Sequence, residues 1–354
     1  MPAAPALALL LLAACTPRLL APGPHAAAPV APQLVEGAAV MDDGYRLPLR
    51  RFGAAAPDRA VALALHGMND YGNAFAEFGA ALAAHGIAVY APDQRGFGAS
   101  EGAGRWAGHA RMAEDADALA RLLRQRHPGL PVHYVGESMG GAVAMLALAR
   151  PQPAADGAVL SAPAVWGRSA MGWLQRSALW LAAHTLPWLP LSSRGLNVQP
   201  SDNIAMLQRL GRDPLVIKET RVDAVWGLVD LMDAAQEAAG AITRPVLVLY
   251  GERDEIIPRA PTCRLLQTLA AGPAPARVAI YAEGFHMLFR DLEGGRVIAD
   301  AAAWMAATGP RPGQPPAAAE TPPAAQPPAA QPLAPLPSGA ESPPAAPALC
   351  QTVG

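Results

Sequence analysis

Six short apolar runs occur along the middle of the chain, and most are followed by a stretch with helical spacing. The runs are rich in Val, Leu, Ile and Ala, and cover residues 60–67, 86–93, 131–136, 157–163, 245–254 and 276–286. Apolar runs without polar alternation are typical of strands buried on both faces, and alternation with helices favours right-handed crossovers and parallel pairing. The pattern predicts an α/β fold with a mostly parallel central sheet flanked by helices.

The pattern changes before and between these runs. Residues 34–52 predict an opening hairpin with its turn at Asp43–Gly44. Residues 164–240 contain only helical spacing, so we interpret them as a helical cap inserted between two strands of the core.

Five of the seven tryptophans lie in the predicted cap, at positions 166, 173, 180, 188 and 226. They either hold the cap on the core or form an apolar surface beside a catalytic pocket. On the second interpretation, Trp166, Trp173 and Trp226 are candidate substrate-binding residues.

The two ends of the chain have their own composition. Residues 1–15 are uncharged and leucine-rich, too short to span a bilayer, and end in Leu-Ala-Ala-Cys. This resembles a bacterial signal peptide with a lipobox, and so predicts lipidation at Cys15 and a lipid-anchored, periplasm-facing enzyme of the bacterial cell envelope. No Lys or Arg precedes the apolar run, and a cytoplasmic enzyme with an apolar N-terminus is the alternative.

The C-terminal region, from residue 309 onward, is rich in Pro and Ala and predicts a disordered tail. Cys263 and Cys350 could pair in an oxidising compartment, but the position of Cys350 at the end of this tail favours two free thiols. The predicted boundaries are 1–15 for the signal peptide, 16–33 for a linker, 34–163 and 241–308 for the core, 164–240 for the cap and 309–354 for the tail.

Hydrophobic residues make up 52% of the chain and charged residues 16%, with a formal net charge of −2. The chain therefore has ample material for a core and no basic excess for binding nucleic acid. The spacing of its cysteines suggests no metal site.

Ser138 is the candidate nucleophile. The stretch YVGESMGG (residues 134–141) carries a Gly-x-Ser-x-Gly motif between an apolar run and a helical stretch. A serine at such a strand-to-helix turn is held in a strained conformation, in which a side chain at Gly136 or Gly140 would clash with neighbouring backbone. The structural alternative is a serine that only caps the helix.

A nucleophilic serine needs a base and an orienting acid, which follow it in the order acid then histidine in this kind of fold. His286 follows the last apolar run, whereas His184, the other downstream histidine, lies in the cap, where packing or exposure is expected. His286 is therefore the predicted base. Asp254 closes the run 245–254 and is the predicted acid, with Glu255 as the substitute.

An oxyanion hole needs two backbone N–H groups near the serine. The candidates are Met139, directly after Ser138, and Met68, in the turn that follows the run 60–67. His66, in the same turn, is expected to bond loop backbone and to have a structural role.

The motifs LHGMND, YAPDQRGFGASEG, GESMGG, GERDEIIP and GFHMLFRD occur in this order. They resemble the monoacylglycerol lipase and lysophospholipase branch of the α/β-hydrolases, which is grouped with serine aminopeptidase-like hydrolases. The likeness covers about residues 34–307. It implies the same triad of Ser138, Asp254 and His286, and a structural role for the loop 93–100.

The function expected from these observations is a serine ester hydrolase that acts on amphiphilic esters without a metal or organic cofactor. A serine aminopeptidase or amidase with the same triad is one alternative, with Glu137, Asp70 or a cap aspartate holding a free amine. A non-catalytic, envelope-tethered binding protein is the other.

Overall fold

The computed structural model describes residues 16–192, 198–309 and Cys350. Its centre is a nine-stranded sheet with the order β1-β2-β3-β5-β4-β6-β7-β10-β11. The strands of this sheet are β1 (Gln33–Val35), β2 (Ala38–Val40), β3 (Arg46–Gly53), β4 (Ala60–Leu65), β5 (Ile87–Pro92), β6 (Val132–Glu137), β7 (Gly157–Ser161), β10 (Val246–Gly251) and β11 (Ala276–Tyr281).

The six predicted buried strands form one parallel array, which confirms the predicted fold class. The β2–β3 hairpin turns at Asp43–Gly44 as predicted, and β3 pairs antiparallel with β5. Alternate side chains of β4 enter different apolar clusters on the two faces of the sheet, Val61, Leu63 and Leu65 on one and alanines on the other. This two-sided burial explains why the strand sequences do not alternate with polar residues.

Helices cover both faces of the sheet. The helices of the core are α1 (Ala76–Leu82), α2 (His109–Arg126), α3 (Met139–Leu148), α7 (Arg259–Ala271) and α8 (Gly294–Ala307). Helices α2, α3 and α7 contribute to the apolar cluster on one face, and α1 and α8 to the cluster on the other.

The region predicted as a cap contains α4 (Trp173–Thr185), α5 (Ile204–Arg212) and α6 (Val222–Ala238). It also contains an antiparallel pair of three-residue strands, β8 (Pro190–Ser192) and β9 (Glu219–Arg221), which the sequence pattern did not predict. Helix α6 approaches the core closely, because a Cβ at Gly227 would overlap the ring of Trp106. Helix α4 is the outer layer, and only Ala183 of its residues is buried.

Cys263 of α7 and Cys350 form a disulfide, with their Cα atoms 5.5 Å apart. The expectation of two free thiols is therefore wrong. Both cysteines are buried against the main apolar cluster, so the chain returns to the core after the proline-rich segment. A separation of 87 residues conceals this proximity in the sequence.

The segment expected to be a linker after Cys15 is bound to the core. Leu20 N–H donates to the carbonyl of Trp106 (2.6 Å), and Gly23 N–H donates to the Asp43 carboxylate (2.8 Å). Among the residues that the structure describes, no helix is both long and apolar enough to cross a membrane. The predicted signal peptide and Cys15 lie outside the described residues, as does most of the predicted tail.

Candidate active site

Ser138 lies at the end of β6, directly before α3, in the strained turn that its motif predicts. Its φ of 53° and ψ of −116° lie in a region that L-residues rarely adopt. Its side chain makes no capping hydrogen bond to α3. Ser138 stands at the N-cap position but does not cap the helix through its side chain, and the partly exposed residue remains available for chemistry.

Glycines allow this turn to pack tightly. A Cβ at Gly136 would overlap the backbone of Gly140 and Gly141, and a Cβ at Gly140 would overlap the carbonyl oxygen of Leu65 at the end of β4. The end of β4 and the serine turn can approach each other only because both positions lack a side chain.

His286 and Asp254 come together at the same edge of the sheet. His286 follows β11, Asp254 follows β10, and His286 Nδ1 lies 2.8 Å from Asp254 Oδ2. The other carboxylate oxygen, Oδ1, accepts the backbone N–H groups of Ile256 (2.8 Å) and Ile257 (2.9 Å). These bonds fix the carboxylate, which accepts Nδ1–H and leaves the His286 Nε2 lone pair available as a base.

The neighbouring carboxylates have other partners. Glu255 accepts the backbone N–H of Gln199 (2.8 Å), and Glu252 lies 3.5 Å from the Arg259 guanidinium. Asp254 is thus the carboxylate that the structure places against His286, and Glu255, the substitute, is engaged elsewhere. His184 stacks on Trp180 in the cap, consistent with packing.

The predicted oxyanion donors are the backbone N–H groups of Met68 and Met139. Within the described part of the chain neither has a protein acceptor. Met139 begins α3, where the helix dipole also favours negative charge. The loop that contains Met68 packs against the serine turn, since a Cβ on Gly67 would lie 3.4 Å from Ser138 Cβ. Both groups suit an oxyanion hole.

His66 holds this loop in place. Its Nε2 accepts the backbone N–H of Gln94 (3.0 Å), so Nδ1 carries the proton and donates to the Gly67 carbonyl (2.8 Å). Burial lowers the pKa of His66, which keeps the ring neutral as this arrangement requires. The expected structural role of His66 is confirmed.

The loop 93–100 is also structural. The Asp93 carboxylate accepts the backbone N–H groups of Gly72 (2.9 Å) and Ala99 (2.9 Å) and pairs with Arg50. Ser100 Oγ donates to loop carbonyls, and Gly96 and Gly98 have positive φ. The loop closes on itself beside the β4 end and presents no free catalytic group.

Arg290 is a residue of the site to which the sequence reasoning gave no role. Its buried guanidinium donates to Asp70 Oδ2 (2.7 Å) and Glu137 Oε1 (2.5 Å). Burial alone would lower the pKa of Arg290, but the two carboxylates outweigh it and raise the pKa. Arg290 and Asp70 also border a cavity of about 260 Å³ beside α5. The only sequence signal was an arginine inside the motif that contains His286.

The three cap tryptophans have different surroundings. Trp166 is partly buried and packs against the main apolar cluster, and Trp226 lies under the Arg168 guanidinium, 4.3 Å from it. Trp173 is 73% exposed. The binding role of all three stays a prediction. Within the described ranges, no group of three or more His, Cys, Asp or Glu side chains is arranged to hold a metal ion.

A family model described as serine aminopeptidase, S33, matches residues 56–293, which is more than half of the chain. The match includes the serine turn, the cap, and both Asp254 and His286.

Individual relatives agree with this match. The chain is 24% identical to a monoacylglycerol lipase of Mycolicibacterium smegmatis, over 70% of this chain and 88% of that protein. It is 25% identical to the human monoglyceride lipase, over 71% and 82% of the two chains. The crystal structure of Paleococcus ferrophilus monoacylglycerol lipase superposes with a TM-score of 0.61 at 25% identity, over 74% of this chain and 98% of that one.

Proposed function

The chain belongs to the serine aminopeptidase S33 family of α/β-hydrolases, and from this premise we propose that it cleaves lipid-like carboxylic esters of the monoacylglycerol or lysophospholipid type. It is a serine ester hydrolase. The observation that carries the proposal is the hydrogen bond between Asp254 and His286, at the same sheet edge as the strained Ser138. The proposed substrate class is supported by the relatives named as monoacylglycerol lipases.

The reaction proceeds by acyl transfer. His286 Nε2 takes the Ser138 hydroxyl proton as the oxygen attacks the ester carbonyl, and the tetrahedral oxyanion accepts hydrogen bonds from the N–H groups of Met68 and Met139. Asp254 stabilises the imidazolium, which then protonates the departing alcohol. Water, activated by the same histidine, attacks the acyl-enzyme and releases the fatty acid and Ser138.

The aminopeptidase alternative needs a free carboxylate to bind a substrate ammonium. Its two candidates beside Ser138, Glu137 and Asp70, are both bonded to Arg290. In the cap, Asp223 pairs with Arg221, and Asp230 and Asp233 pair with Arg168. With these carboxylates engaged, ester hydrolysis is the better supported reaction. The non-catalytic alternative is less well supported, because every proposed catalytic group is present in the site.

A substrate panel tests the proposal. Purified protein lacking residues 1–15 is assayed against monoacylglycerols of several chain lengths, a lysophospholipid and aminoacyl amides, with Ser138→Ala as control. We expect kcat/KM for the lipid esters to exceed that for the amides by about 100-fold or more, because Glu137 and Asp70 are already bonded to Arg290. Faster turnover of amides would assign the chain to the aminopeptidase alternative.

Membrane attachment through a lipidated Cys15, facing the periplasm, is a second part of the proposal. Thr16, the residue after Cys15, and Arg18 lie beside Trp188 of the cap. The part of the cap that contains Trp188 exposes several large apolar side chains. They are Trp173, Leu174, Trp180, Leu181, Leu186, Trp188, Leu189 and Leu191. Such a surface is typical of a protein that meets lipid. The buried disulfide suits an oxidising compartment.

Metabolic labelling with a clickable fatty acid, followed by membrane fractionation, tests the attachment. We expect label and membrane retention for the wild-type chain, and loss of the label in Cys15→Ser. Equal labelling of the two proteins would contradict lipidation at Cys15.

A further inference from the structure

The buried guanidinium of Arg290 joins three loops that carry the proposed catalytic groups. We call them the β4 loop (residues 66–70), the serine turn (residues 136–140) and the histidine loop (residues 284–291). Arg290 lies in the histidine loop, four residues after His286. Its partners are Asp70 of the β4 loop, two residues after Met68, and Glu137 of the serine turn, next to Ser138.

The sheet places the β4 loop beside the serine turn, because β4 pairs with β6, but it connects neither of them directly to the histidine loop. Strand β11, which precedes His286, is separated from β6, which precedes Ser138, by β7 and β10. The distance between the base and the nucleophile would therefore depend on two intervening strands and on the Asp254 loop. Arg290 provides a direct link between the two sides, made of charge-assisted hydrogen bonds in a buried environment.

The histidine loop is rigid enough to transmit this link to His286. The backbone N–H of Arg290 donates to the Met287 carbonyl (2.7 Å), and the Asp291 carboxylate accepts the backbone N–H of Phe285 (2.8 Å). The first bond closes a turn directly after His286, and the second spans His286 from residue 285 to residue 291. A movement of the guanidinium would therefore move the imidazole with it.

A second buried arginine offers a matched comparison. Arg95 donates to Asp43 (2.8 Å for each of two bonds) and to Asp115 (2.5 and 3.1 Å). It is as deeply buried as Arg290 and also pairs with two carboxylates. Its partners lie in the β2–β3 turn and in α2, and none of the proposed catalytic groups lies in either element.

We propose that Arg290 is a positioning residue that sets the relative placement of His286, Ser138 and the Met68 N–H by bonding Asp70 and Glu137. The inference rests on the proposed roles of Ser138 and His286. It distinguishes Arg290 from Arg95, whose equivalent bonds only stabilise the fold.

The test compares Arg290→Lys with Arg95→Lys in the otherwise unchanged protein. A lysine keeps the charge but is a point donor and cannot reproduce the planar fork that reaches both carboxylates. We expect Arg290→Lys to lower kcat on a soluble short-chain ester by about 10- to 100-fold with KM within about twofold of wild type, because misplaced groups lose rate without losing substrate contacts. Labelling by a fluorophosphonate should slow by a similar factor.

Arg95→Lys should lower the melting temperature at least as much as Arg290→Lys, while kcat of the folded protein stays within about twofold of wild type. Equal losses of kcat in the two variants, or an unchanged kcat in Arg290→Lys, would overturn the proposal. If Arg290→Lys does not fold, Glu137→Ala and Glu137→Gln replace it. Glu137→Gln keeps the acceptor oxygen and should keep most of the rate that Glu137→Ala loses, and equal rates for the two would overturn the proposal.

Ser138→Ala is measured in parallel and distinguishes a failure of the proposed function from a failure of the positioning role of Arg290. An active Ser138→Ala protein would refute the proposed function itself. An inactive Ser138→Ala protein together with a fully active Arg290→Lys protein would refute only the positioning role.

Discussion

The core and the cap differ in where they place their large apolar side chains. In the core, β6 and β10, which lead to Ser138 and Asp254, consist of buried residues. The edge strand β11, which leads to His286, packs partly buried side chains against the apolar clusters on both faces. In the cap, α4 exposes Trp173, Leu174, Trp180 and Leu181, and only Ala183 of the helix is buried. The apolar side chains of the core hold the proposed catalytic geometry, whereas the cap leaves large apolar side chains exposed, where we propose that they contact lipid.

The largest effect should come from the acid of the core. Asp254→Asn keeps the shape of the side chain but favours the wrong His286 tautomer, so we expect kcat to fall by about 10³- to 10⁴-fold. The adjacent Glu255→Gln is the matched control and should stay within about twofold, because Glu255 bonds Gln199 and not the imidazole. Steady-state kinetics on a soluble ester checks both. A reversed ranking would assign the acid role to Glu255.

The disulfide should stabilise the core without affecting the chemistry. Replacing both Cys263 and Cys350 by Ser removes a cross-link over 87 residues, and we expect the free energy of unfolding to fall by about 2–5 kcal/mol. Denaturant unfolding measures the loss, and kcat of the folded variant should match wild type. Truncation after Thr308 also removes Cys350 and should have the same cost. An unchanged unfolding free energy in either protein would show that Cys350 does not anchor the chain.

A buried histidine should make the core sensitive to acid. Burial lowers the pKa of His133 to about 4, and its Nδ1 has no partner within the described residues. The unfolded chain, with a pKa near 6.5, binds this proton first as pH falls. The stability that neutral His133 contributes to the fold is therefore fully present above about pH 6.5 and is lost progressively as the pH falls toward 4.

At pH 5 the expected loss from His133 is about 2 kcal/mol relative to pH 7. His133→Gln can still donate to the Thr308 carbonyl, as Nε2 of the histidine does. Between pH 7 and pH 5, the unfolding free energy of His133→Gln should therefore fall by about 2 kcal/mol less than that of the wild type. Parallel pH profiles for the two proteins would exclude His133 as the source of acid sensitivity.

The smallest effect should come from the cap and should depend on how the substrate is presented. Trp180→Ser with Leu181→Ser removes two exposed apolar side chains, so activity on monoacylglycerol in phospholipid vesicles should fall by about 3- to 10-fold. Activity on a soluble short ester should be unchanged. Leu292→Ser, which alters an exposed leucine outside the cap, should behave as wild type in both assays. Equal losses on vesicles and in solution would contradict a surface role for α4.

The sequence predicts features that local patterns encode and misses those that depend on contacts between distant segments. The six parallel strands, Ser138 at its strained turn and the Asp254–His286 pair follow from local patterns and from the order of residues along the chain. The bonds between Arg290, Asp70 and Glu137, and the contact of Cys350 with Cys263, depend on approaches between distant segments that no periodicity encodes. The β8–β9 pair was missed because three-residue strands carry too little pattern.

Covalent labelling tests the central claim most directly. The protein is reacted with a fluorophosphonate, digested, and the modified residue is identified by mass spectrometry, with His286→Ala treated in the same way. The account predicts close to one label per protein on Ser138, and labelling slowed by about 10³-fold or more in His286→Ala, since the serine then lacks its base. A label on another residue, or no label on folded and active protein, would contradict the assignment of Ser138 as the nucleophile.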